Sequence, residues 1–165
     1  AFLDGIVPAA EDAGVTIGLH PSDPPVEELG GIPLIFRDRA AFERALSLAD
    51  SDHFGLEFCL GCWSEMGEDL PDVVRSFGGD DIVYVHFRNT IGSVPAFTET
   101  FVDDEGGHFD PYAVVEALEE VGFSGVMTPD HVPTMVSDEH WGAGGYTGRA
   151  FTVGYLKATV NAVTS

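Results

Sequence analysis

The apolar positions of this chain fall into four short runs, separated by longer stretches with helical spacing. The runs cover residues 15–19, 54–58, 82–85 and 126–128. They are apolar nearly throughout, as strands buried on both faces should be. Each ends on a polar group: His20, Cys59, His86, and Asp130 after Pro129. Between them lie helical patterns. Residues 40–49 place Phe42, Ala45, Leu46 and Ala49 on one face. Residues 69–77 form a shorter helix that tolerates Pro71 near its start. Residues 110–122 carry Asp110 as N-cap, Pro111 at the first helical position and Gly122 as the stop. A last helix is predicted over 148–162, and residues 2–13 read as the tail of another, its form left open by Pro8.

Strands alternating with helices argue four parallel β/α units in one α/β domain spanning 1–165. A closed (β/α)₈ TIM barrel needs eight strands and usually more than about 200 residues. The expectation is therefore half of such a barrel, its C-terminal half, as a fragment that begins inside a helix and lacks its N-terminal half-barrel. A small doubly wound sheet is the competing fold. The half-barrel is preferred because all the polar residues fall at one end of the strands.

Charge narrows the partners. There are 28 acidic residues against 7 basic ones, a formal net charge of -21. Nucleic acid and anionic membrane surfaces both need a basic stripe, so neither is expected. Such self-repulsion is tolerated where salt screens it, which reads as a halophile-type surface. No apolar run reaches the roughly 18 residues of a membrane span, and no signal peptide is evident, so a cytoplasmic location is expected. The two cysteines form Cys59-Leu60-Gly61-Cys62. A thioredoxin-like reading of that C-x-x-C would need it to open a helix after a strand early in the fold. A zinc knuckle would need a second pair.

In parallel β/α folds the active site lies at the C-terminal strand ends. His20, Cys59, His86 and Asp130 are all potential metal ligands there. Their spacings of 39, 27 and 44 residues suit one β/α unit plus its loops, so they gather around one rim. Such a set would accept Zn²⁺, Mn²⁺, Fe²⁺ or Co²⁺. In the following loops, Asp23 stands in a rigid Pro-rich turn, and Arg88 suits bidentate binding of a substrate carboxylate. His131 and Tyr146, the latter in the run 144–149 that ends on Arg149, are the acid/base candidates.

Together these segments resemble the mannonate dehydratases, metal-dependent enzymes with a xylose-isomerase-like barrel. The matching pieces are His20-Pro21-Ser22-Asp23-Pro24-Pro25, the 55–61 segment, Val85-His86-Phe87-Arg88-Asn89, the 97–101 segment and Pro129-Asp130-His131, with Gly145, Tyr146 and Arg149 following in order. The resemblance implies His20, Cys59, His86 and Asp130 as ligands of a Mn²⁺-type ion, with His131 and Tyr146 moving protons. It implies Asp23, Arg88, Asn89 and Arg149 as substrate contacts, and dehydration of D-mannonate to 2-keto-3-deoxy-D-gluconate. The chain departs from the family pattern at Thr128, where the family has arginine, at Val102, where the family has histidine, over Val132-Pro133-Thr134-Met135, which replaces a more polar stretch, and in a shortened Gly-Tyr region before Arg149. The alternatives are an isomerase or epimerase acting on a neutral sugar, or an inactive metal-binding half-barrel that assembles with a partner or as a homo-oligomer.

Overall fold

The structure, a computed structural model, describes residues 1–138 and 145–165. Four parallel strands form the central sheet in the order β1 (Ile17–Leu19), β4 (Phe54–Cys59), β5 (Ile82–His86) and β8 (Val126–Thr128). These are the four expected strands, with β1 starting two residues late because Val15 is exposed. The register sets the functional row: Cys59 pairs with His86, and His86 with Thr128. Two antiparallel hairpins lie outside the sheet. One joins β2 (Glu28–Leu29) to β3 (Ile32–Pro33); the other joins β6 (Asn89–Ser93) to β7 (Ala96–Thr100). Neither was anticipated, because both sit in polar stretches where the sequence shows no buried run.

The helices are α1 (Phe2–Ala13), α2 (Arg39–Ala49), α3 (Leu60–Met66), α4 (Leu70–Phe77), α5 (Pro111–Glu120) and α6 (Tyr146–Val163), with a 3₁₀ turn at Val136–Asp138. Their starts follow from capping chemistry. Asp38, Asp69 and Asp110 accept hydrogen bonds from the amides of Ala41, Asp72 and Tyr112. Asp138 does the same for α6 from outside the helix, accepting from the Thr147 and Gly148 amides. Pro8 is accommodated inside α1. Gly122 stops the chain after α5 with φ +74°, a conformation glycine adopts without a Cβ penalty.

Helix α3 is a correction to the sequence reading. Cys59 ends β4 and serves as its N-cap position, so Cys62 sits in its first turn. The C-x-x-C motif therefore does open a helix after a strand. Its all-round burial hid it: residues 60–65 are all buried, so no amphipathic period marks the helix. Trp63 anchors it in the main core, stacked 5.3 Å from Phe58 and tilted 4.9 Å from Phe42. Rings buried this fully stabilise by about 2–3 kcal/mol each. No helix among the described residues is long and apolar enough to cross a membrane.

Candidate metal centre

Cys59 is the hub of the polar cluster at the strand ends. Its Sγ, a His86 ring nitrogen and an Asp130 oxygen lie within 4.8 Å of one another. Its Sγ also lies within 4.8 Å of donor atoms of His20 and Cys62, which form a second triad on the same sulfur. The His20 and His86 rings meet edge to face at 5.3 Å. The four residues expected at the rim are thus brought together, with Cys62 added to them.

Each histidine has one nitrogen already engaged. His20 Nδ1 donates to the Pro21 carbonyl at 2.7 Å, which leaves Nε2 to face Cys59. His86 Nε2 lies 2.9 Å from Glu57 Oε1. His86 Nδ1 is then turned toward Asp130 Oδ2 at 3.4 Å, and among the described residues it is buried without a hydrogen-bond partner. A backbone carbonyl or a carboxylate on the far nitrogen is how metal-binding imidazoles are oriented and made more basic. Thiolate, two imidazoles and a carboxylate suit a borderline divalent cation.

The electrostatics point the same way. Burial pushes the Cys59 thiol up, but the close approach of Cys62, His20 and His86, with the Arg88 charge, outweighs it and holds the thiol well below its usual range. The contact with Cys59 pushes His20 up to about 9 and raises His86 as well, against the effect of burial. Asp130 is held at φ +61°, a left-handed conformation that costs a residue with a Cβ about 1 kcal/mol. Arg149 Nε donates to the Asp130 carbonyl at 3.0 Å. His86, Thr128, Pro129, Asp130 and Arg149 line a cleft of about 330 Å³.

Arg88 and Asn89, read from sequence as substrate contacts, are buried and already engaged. Arg88 is 3% exposed; it donates to Glu65 Oε1 at 2.9 Å, Asp23 Oδ2 at 2.8 Å and Cys62 Sγ at 3.3 Å. An always-charged guanidinium at that depth requires this carboxylate company. The Asn89 amide donates to the Phe109 carbonyl and accepts from the Thr90 and His108 amides, so it fastens the 106–109 loop. Asp23 remains half exposed beside Arg88, 4.0 Å from His131 Nε2. His131 follows Asp130 at the rim. Tyr146 is the first residue of α6 and 70% exposed, while Gly144 lies outside the described residues.

The sequence reading gave no role to four neighbours: Glu57, Cys62, Glu65 and Glu99. Glu57 carried a legible signal, being an acid inside an apolar strand and two residues before Cys59, hence on the same face.

The parallel four-stranded sheet with its helices is an α/β fold with xylose-isomerase-like neighbours. A solved xylose isomerase domain protein from Alicyclobacillus acidocaldarius shares this fold at TM-score 0.68 and 15% identity, over 93% of this chain and 53% of that one. The family is narrower. The profile of the D-mannonate dehydratase (UxuA) family matches residues 1–165, and the chain belongs to that family. It is 34% identical to mannonate dehydratase 2 of Halalkalibacterium halodurans over 99% of this chain and 48% of that protein. It superposes on the crystal structure of mannonate dehydratase from Streptococcus suis serotype 2 at TM-score 0.90 and 31% identity, covering 98% of this chain and 47% of that one. The resemblance read from the motifs is borne out, and the chain spans about half the length of the relatives it matches.

Proposed function

We propose that this chain supplies the metal-binding half of a mannonate dehydratase, converting D-mannonate to 2-keto-3-deoxy-D-gluconate and water. The observation that carries the proposal is the buried, unpartnered Nδ1 of His86, turned toward the Cys59 and Asp130 donors while Glu57 holds the other nitrogen. His20, Cys59, His86 and Asp130 would hold the cation, with Mn²⁺ the ion favoured by the family resemblance. A divalent cation there would act as a Lewis acid, stabilising the negative charge that develops as the C2 proton leaves.

The chain's own groups account for the remaining chemistry. His131 and Tyr146 exchange the protons: one takes the C2 proton, and the other delivers a proton to the departing C3 hydroxyl, which leaves as water. The enol that remains tautomerises to the 2-keto acid. Arg88 orients Asp23 and balances the charge of Glu65 from below the rim. Arg149 is the exposed cation beside the cleft and the candidate partner of the substrate carboxylate. The sheet is read as half of a barrel: its edges, β1 and β8, need strands beside them, and the relatives are about twice as long.

A second reading, isomerisation of a neutral sugar, is favoured by the burial of Arg88 and by Thr128, which accepts a hydrogen bond from Tyr84. The full-length protein, supplied with Mn²⁺ and either D-mannonate or a set of ketoses, separates the two. Keto-deoxy-gluconate formation supports the dehydratase; turnover of ketoses alone supports the isomerase. Metal analysis of Cys59→Ala and Asp130→Ala tests the centre itself, and stoichiometric metal retained in both would sink it.

A further inference from the structure

Glu99 and His131 meet across the rim from two separate elements. Glu99 lies on β7, paired in register with Thr90 of β6. Its hairpin is pinned at the tip, where the Val94 amide donates to the Glu65 carbonyl at 2.9 Å. It is pinned at the base by the buried Asn89 amide. The carboxylate is therefore presented from a fixed frame. His131 Nδ1 lies 2.6 Å from Glu99 Oε1, and that oxygen is buried. The distance is that of a charge-assisted ion pair, but its alignment falls short of a hydrogen bond, so Oε1 has no hydrogen-bond partner among the described residues. At this distance the contact is attractive only when Nδ1 carries the proton.

The other side of the ring faces the site. His131 Nε2 is 3.5 Å from Asp130 Oδ2 and 4.0 Å from Asp23 Oδ2. The backbone beneath it is held as well, since Asp130 adopts its left-handed conformation with its carbonyl bound by Arg149. Which nitrogen of an imidazole is free to exchange a proton is set by what the other nitrogen meets. We infer that Glu99 is the positioning residue for His131: it keeps the proton on Nδ1 and presents Nε2 to the reacting carbon or its hydroxyl. The inference rests on the proposed proton-transfer role of His131. Glu99 itself touches no reacting atom in this arrangement.

Two measurements on the full-length protein test it. The first needs no activity. In ¹⁵N-histidine spectra of the diamagnetic Zn²⁺ form, His131 should show a protonated Nδ1, and Glu99→Ala should mix the tautomers. An unchanged His131 signal in Glu99→Ala would overturn the inference. The second is kinetic. Glu99→Ala should lower kcat for D-mannonate about 100-fold, with KM and bound metal within twofold of wild type. Glu99→Gln, whose amide oxygen accepts the same proton, should recover most of that loss. In a His131→Ala background, Glu99→Ala should add nothing; additive losses would show that Glu99 acts elsewhere. Should the wild type turn over no aldonate, the dehydratase reading falls, and the spectra alone still decide whether Glu99 sets the His131 tautomer.

Discussion

Glu57 and His86 meet across neighbouring parallel strands, with the carboxylate oxygen Oε1 2.9 Å from Nε2. Because Cys59 and His86 are direct register partners, this contact turns the other imidazole nitrogen toward the Cys59 sulfur. Glu57 would thereby act on the proposed metal centre without belonging to its ligand set. Outer partners of metal-binding histidines are worth about 10–100-fold in metal affinity. Glu57→Ala should weaken divalent-metal binding by that factor in a competition titration, with the circular dichroism spectrum unchanged. Glu57→Gln should lose less, since its amide oxygen can still accept the Nε2 proton. Unaltered affinity in Glu57→Ala would remove the orienting role.

Much of this centre was legible because strand ends are easy to find. Short apolar runs that stop at His20, Cys59 and His86 locate one end of a parallel sheet, and the register then sets Cys59 directly beside His86. The burial of Arg88 and Asn89 was not legible. A cation after a strand end reads as rim chemistry, and its burial depends on Glu65, which lies on a helix that no period reveals. The Glu99–His131 contact was illegible because it joins a hairpin to a strand end with no sequence relation between them.

Gly61 offers a test in which two effects of opposite sign compete. It lies in α3, where Gly→Ala ordinarily stabilises by about 1 kcal/mol. Here an added Cβ would fall 2.4 Å from the Arg88 guanidinium carbon. Arg88 cannot swing aside freely, because Glu65 and Asp23 hold it from both sides. Overpacking costs about 1–3 kcal/mol, and disturbing a buried ion pair adds to it. Gly61→Ala should therefore destabilise by about 2–4 kcal/mol in urea unfolding. A neutral or stabilising result would show that Arg88 is loosely held.

Glu65 gives a pH dependence of defined sign. Burial raises its carboxyl to about 7, more than Arg88 can offset. Between its ordinary value of 4.5 and about 7 the folded chain binds a proton that the unfolded chain has released. Stability must then fall as pH rises through that window, because the native state holds more protons. Glu65→Gln mimics the protonated form and should flatten this part of the profile. The check is the difference in urea midpoint between wild type and variant at pH 5 and pH 8. A gap that does not change with pH would contradict the raised value.

The surface charge predicts a response to salt. With 28 acidic and 7 basic residues, most carboxylates have no basic side chain to pair with. The few cations are partly committed, as in Arg39 to Asp72 and Arg75 to Glu120. Two unit charges 8 Å apart in water repel by roughly 0.5 kcal/mol before screening. The Debye length is about 8 Å at 0.15 M and about 3 Å at 1 M, so most of the repulsion that survives at 0.15 M disappears over this range. Summed over many pairs, the effect should exceed the loss of the exposed ion pairs, each worth less than about 1 kcal/mol. The thermal midpoint should therefore rise steadily from 0.15 to 1 M NaCl. Chloride is the salt to use, because sulfate also strengthens apolar burial and would raise the midpoint by itself. A midpoint that stays level or falls in NaCl would mean that the carboxylates are already spaced widely enough, and that the acidity reflects no adaptation to salt.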